Sequence, residues 1–139
     1  MKNILIVLSF VFLSGCAVIQ PMIDRFTIAQ FDNNEYALVN KIRTQSQLAK
    51  QDCSTSILVR SHVDDMFITS TELKNYSQYL PKNEQTINPI DILHKMVNEI
   101  HARYNTTSSV SKTYCELKLT SINQSAESIQ RAIGKRPRP

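Results

Sequence analysis

Three histidines and three cysteines are the residues of this 139-residue chain best suited to holding a metal or attacking a substrate. His94 and His101 stand seven apart, with Asp91 three before the first, so all three can lie along one stripe of a helix. A metal there would need further ligands from a neighbouring helix. The pair lacks the i, i+4 histidines and the general-base glutamate of the zinc-protease helix, so solvated histidines beside an apolar seam are the simpler expectation. No metal site is assigned. His62-Val63-Asp64-Asp65 sets acids beside a histidine, but successive helical residues diverge by about 100° and do not face one another. Tyr36, Tyr76, Tyr79 and Tyr104 could line a ligand, although tyrosines at helical spacing more often edge a core. No glycine-rich loop, serine elbow or Cys-x-x-Cys motif occurs. These residues point away from an enzyme, and no cofactor is expected.

The elements that position these residues read as helices. Gly15 and Gly134 are the two glycines, and there is no Asn-Gly or Asp-Gly pair, which disfavours hairpins and barrels whose turns need positive φ. The prolines at 21, 81, 89, 137 and 139 fall at plausible helix borders. Ile28, Phe31, Leu38, Val39, Ile42 and Ala49 recur near helical spacing and predict a first helix from Ile28 to Gln51, closed by Cys53. Ser54-Thr55 can cap a second, with Val59, Val63 and Met66 on one side. The capping-box spacing of Thr69 to Glu72 predicts a break near residue 70, before the helix runs on to Leu80 and Pro81. Asn88-Pro89-Ile90-Asp91 is a start signal after the polar stretch PKNEQTINP, and Ile90, Leu93, Val97, Ile100 and Tyr104 follow in steps of 3 and 4. The last helix runs Cys115, Leu119, Ile122, Ala126, Ile129, Ile133, with Gly134 in the place of a C′ glycine.

The N-terminus has a different character. Met1-Lys2-Asn3 is followed by an apolar run from Ile4 to Leu13, the layout of a secretory signal peptide. The run falls short of the roughly 20 residues that a spanning helix needs. Its end, Leu13-Ser14-Gly15-Cys16, resembles the lipobox of bacterial lipoproteins, in which an aliphatic residue and two small ones precede an obligatory cysteine. The resemblance implies cleavage before Cys16, diacylglycerol on its thiol and an acyl chain such as palmitate on the new amino group. Two or more chains hold a protein stably on a bilayer where one does not. Ala17 follows in place of the Asp that retains enterobacterial lipoproteins at the inner membrane, so the resemblance implies the outer membrane, facing the periplasm. In a bacterial host the sequons at Asn75, Asn105 and Asn123 carry no weight.

With Cys16 given to lipid, Cys53 and Cys115 remain as an even pair in an oxidising compartment, and a disulfide between them is expected. It would join the end of helix one to the start of helix four. In an up-down-up-down bundle those points share one end, so the expected fold is an all-α, up-down four-helix bundle with one disulfide. The organisation is a signal peptide over 1–15, a lipidated N-terminus and tether over 16–27, a helical domain over 28–134 and a basic, proline-containing tail over 135–139.

The formal net charge is +4, and its excess lies in the tail at Lys135, Arg136 and Arg138, a run that reads as solvated. The body is near neutral, so no nucleic-acid partner is expected. The function expected is a non-enzymatic protein-interaction module, anchored to the membrane by lipid and receiving an envelope protein. Its layout is similar to that of secretin pilotins, small helical disulfide-bearing lipoproteins, and also suits a phage envelope lipoprotein for exclusion or lysis, such as an outer spanin subunit. Among apolar residues off the assigned stripes (Tyr36, Ile57, Phe67, Met96 and Leu117), Tyr36, Phe67 and Met96 are the candidate partner contacts, provided they gather on one exposed surface. The alternative is a structural lipoprotein whose basic tail touches peptidoglycan or lipid phosphates.

Overall fold

The computed structural model describes residues 28–106 and 109–139. The expected signal peptide, the expected lipid site at Cys16 and the expected tether lie outside the described residues. Four helices fill most of the remainder: α1 (Asn33–Gln51), α2 (Ser56–Ser77), α3 (Glu84–Thr106) and α4 (Lys112–Gly134). Each packs on its neighbours in the chain, α4 returns to pack on α1, and the diagonal pairs do not meet. That is an up-down four-helix bundle. The expected disulfide is present, Cys53 to Cys115, with 5.9 Å between the Cα atoms.

The core follows the apolar stripes. All six stripe residues of α4, Cys115 through Ile133, are buried, as are all five of α3, Ile90 through Tyr104. They meet Val39, Ile42 and Ala49 of α1 and Val59, Val63, Met66 and Leu73 of α2 in one cluster. Fully burying a side chain of this size contributes about 1.5–3 kcal/mol, so the stripes hold helices of modest propensity together. Among the described residues no helix is long and apolar enough to cross a membrane.

Helix boundaries differ from the sequence expectation in all four helices. α1 begins at Asn33 rather than Ile28, because Asp32 is its N-cap and accepts from the Glu35 amide at 2.8 Å. α2 runs unbroken through residue 70: Thr69 and Thr71 donate their hydroxyls to carbonyls four residues back and Ser70 to one three back, satisfying those side chains without opening the helix. It ends at Ser77, ahead of a turn in which Lys82 takes φ 61°. α3 begins at Glu84, five residues before Pro89, so that Pro89 is inside the helix and not its first residue. Asn83 nucleates this earlier start by accepting from the Thr86 and Ile87 amides on its carbonyl. Gly134 is the last residue of α4 and has no positive φ. A Cβ on it would meet the Tyr36 ring at 3.6 Å, ordinary contact, so neither conformation nor space demands glycine there.

Candidate functional site

The histidine stripe of α3 faces α2, and Phe67 comes between its two members. The Phe67 ring stacks on His101 at 4.2 Å with 7° between planes, and lies 5.8 Å from His94. His101 Nε2 pairs with Asp64 at 3.2 Å, and Lys74 pairs with Asp91 at 3.1 Å. A benzyl ring thus occupies the space in which both imidazoles would have to reach one ion at about 2 Å. Among the described residues no group of three His, Cys, Asp or Glu could hold a metal. His62 turns back to Asp52 in the α1–α2 turn, at 3.1 Å. The His62–Asp65 run therefore serves two separate pairs, as the divergence of adjacent helical residues requires.

Ser70 Oγ sits 3.1 Å from His94 Nδ1 and 3.0 Å from the Phe67 carbonyl; with the hydroxyl proton on that carbonyl, Nδ1–H of His94 donates to the serine. Partial burial lowers the His94 pKa from its usual value near 6.5, the Lys74 ammonium lowers it further, and Asp91 opposes both. The fold thus favours neutral His94. Its folded pKa lies below the unfolded one, so the unfolded chain binds more protons in between, and stability falls as pH drops below about 6.5. In denaturant titrations at pH 7.5 and pH 5, wild type should lose stability relative to His94→Asn, whose amide can still donate to Ser70. An unchanged difference between the two proteins would refute this.

The basic tail is solvated at Lys135 and Arg138 but not at Arg136. Arg136 is buried, and its guanidinium donates to Glu35 Oε2 at 2.5 Å, Asn83 Oδ1 at 2.6 Å and Thr86 Oγ1 at 2.7 Å. Asn83 in turn donates to Glu35 Oε1 at 2.8 Å and the Ser77 carbonyl at 2.9 Å. Four parts of the chain, the start of α1, the end of α2, the start of α3 and the C-terminus, are clasped around one buried ion pair. Beside it the Phe31 amide donates to the Pro137 carbonyl at 2.9 Å, and the Arg138 guanidinium lies 4.8 Å over the Phe31 ring. Sequence reasoning missed Glu35, Asn83 and Thr86. The one available signal was Glu35 standing four residues before Val39, on the buried stripe of α1.

Tyr36, Phe67 and Met96 are all half-buried against the core and do not gather on one exposed surface. Tyr36 packs on Phe31 and against Gly134 at the α1–α4 seam, and Phe67 fills the α2–α3 seam. Met96 lies three residues before Glu99, which pairs with Lys118 of α4 at 2.8 Å, and so faces the α3–α4 seam. Of the other off-stripe residues, Ile57 and Leu117 are 82% and 65% exposed. The tyrosines do not share a site either: Tyr104 is buried, Tyr79 is exposed and Tyr76 donates its hydroxyl to Asp32. The α1–α4 seam carries a polar network in which Arg43 donates to Gln130, Gln130 to Asn40, and Asn123 to the Arg43 carbonyl and Ser46.

No protein-family model, curated protein or solved structure matches this chain.

Proposed function

We propose that the chain is a small envelope lipoprotein, held by lipid on Cys16 at the periplasmic face of the outer membrane, and acting as a non-enzymatic protein-interaction module. The observation that carries the reading is the cysteine arithmetic. Two of the three cysteines are joined to each other, and the remaining one, Cys16, ends the apolar N-terminal run behind Leu13-Ser14-Gly15. A disulfide of this kind belongs to exported proteins, which agrees with the signal peptide. The use of the described histidines supports a binding module over an enzyme, since each is engaged by a side chain of the fold. Against the alternative of a free tail reaching for peptidoglycan or lipid phosphates stands the burial of Arg136, which leaves only Lys135 and Arg138 of the tail's cations exposed.

Labelled palmitate should enter the wild type and fail to enter Cys16→Ser, which should also leave the membrane fraction. Equal labelling of both proteins defeats the lipid reading. Crosslinking in intact envelopes then tests the module: a labelled protein that crosslinks to no other protein would be structural.

A further inference from the structure

We infer that the end of the bundle where the described chain begins is its membrane-facing end, and that Tyr79, Lys135 and Arg138 there rest on the phosphate groups of the phospholipid bilayer. This rests on the lipid-anchored reading above and adds to it a face and the chemistry of what that face meets.

The chain entry is pinned. The Ala29 amide donates to the Lys82 carbonyl at 3.1 Å and the Phe31 amide to the Pro137 carbonyl at 2.9 Å. Ile28 packs in two adjoining clefts, one with Leu80 and Pro81 and the other with Arg136 and Pro137. A lipid on Cys16 therefore pulls on the end that holds the α2–α3 turn and the C-terminus. The chain from Cys16 to Ile28 spans at most about 40 Å. The 22 residues of α2 separate this end from the disulfide end by about 33 Å. The disulfide end could touch the same bilayer only with that chain drawn out nearly straight along the whole bundle.

The chemistry of the pinned end suits headgroups. Tyr79 is 87% exposed, and an amphipathic ring favours the membrane–water boundary. Lys82, Lys135 and Arg138 are exposed on the same end, with Glu84 as an exposed acid there. Asp32 is half-buried and accepts from the Glu35 amide and the Tyr76 hydroxyl. Basic side chains beside an anionic bilayer are attracted to it. The opposite end also carries cations, Lys50, Arg103 and Lys112, so charge alone does not choose between the ends. The site of attachment does. The clasp around Arg136 then holds Lys135 and Arg138 in place on a surface.

The chain has no tryptophan, so Tyr79→Trp and Ile57→Trp each create a single reporter, the first at the pinned end and the second, at a position 82% exposed, near the disulfide. The full-length lipidated proteins are reconstituted in vesicles of phosphatidylglycerol and phosphatidylcholine doped with headgroup-spin-labelled lipid. Quenching at position 79 should exceed that at position 57 at least twofold. Adding Lys135→Glu and Arg138→Glu, both at exposed sites, should lower quenching at position 79 at least twofold while helicity by circular dichroism is unchanged. Equal quenching from the outset, or stronger quenching at 57, overturns the assignment of this end. Undiminished quenching at 79 in the charge-reversed protein overturns the phosphate contact. Failure of the parent protein to float with the vesicles defeats the lipid-anchored reading itself, a result distinct from flotation without a difference between reporters.

Discussion

Arg136→Ala should destabilise the protein by about 3–5 kcal/mol, the usual effect of removing one partner from a buried ion pair. The expected loss lies in what remains. Glu35 has no exposed surface, and its carboxylate would keep only the Asn83 amide and a long contact to Thr86 as donors. Asn83 Oδ1 would lose its guanidinium partner as well. At about 4 °C per kcal/mol, the melting temperature should fall by roughly 12–20 °C. Arg136→Lys should recover only part of this, because an ammonium is a point charge and cannot reach Glu35, Asn83 and Thr86 with a planar fork. Pairing Glu35→Leu with Arg136→Met should be far milder than either single change, since it removes both charges together. Urea titrations of wild type, Glu35→Leu, Arg136→Met and the double variant give the coupling energy directly. A loss under about 1 kcal/mol for Arg136→Ala would mean that the clasp is dispensable and the C-terminus a tail after all.

At the other end of the bundle, replacing Cys53 and Cys115 together with alanine should remove about 4 kcal/mol, the chain-entropy value for a cross-link spanning a sequence separation of 62. Cys115 is fully buried and Cys53 nearly so, which also adds small packing losses of the same sign. Reductant should shift the wild-type denaturation midpoint toward that of the variant and leave the variant where it is. A wild type insensitive to reductant under unfolding conditions would show that the cross-link is absent in solution. The two closures bind α1 to α4 from opposite ends, one covalent and one ionic, about 28 Å apart along a 19-residue helix. Sites so far apart share no partner, so their losses should add to within about half a kcal/mol.

The sequence by itself determined the helical class, the apolar stripes of α3 and α4 and the pairing of Cys53 with Cys115. These depend on local spacing and on parity. Steps of 3 and 4 from Ile90 to Tyr104 and from Cys115 to Ile133 place every member on one face whatever the rest of the chain does, and all are buried. A chain with almost no glycine cannot easily supply the turns of a β fold. The tertiary structure alone decided where α3 begins, what Arg136 does and what lies between His94 and His101. Asn88-Pro89 is a sound local start signal, but Asn83 overrides it as a residue held by Glu35 and Arg136, 48 and 53 positions away. Arg136 reads as solvated beside two prolines and other cations, and it is internal only because Glu35, 101 positions earlier, presents a carboxylate on the same end of the bundle. Phe67 separates the histidines because it comes from another helix. Each of these is a pairing between side chains far apart in sequence, and no period of 3.6 residues along one helix carries information about which residue of another will face it.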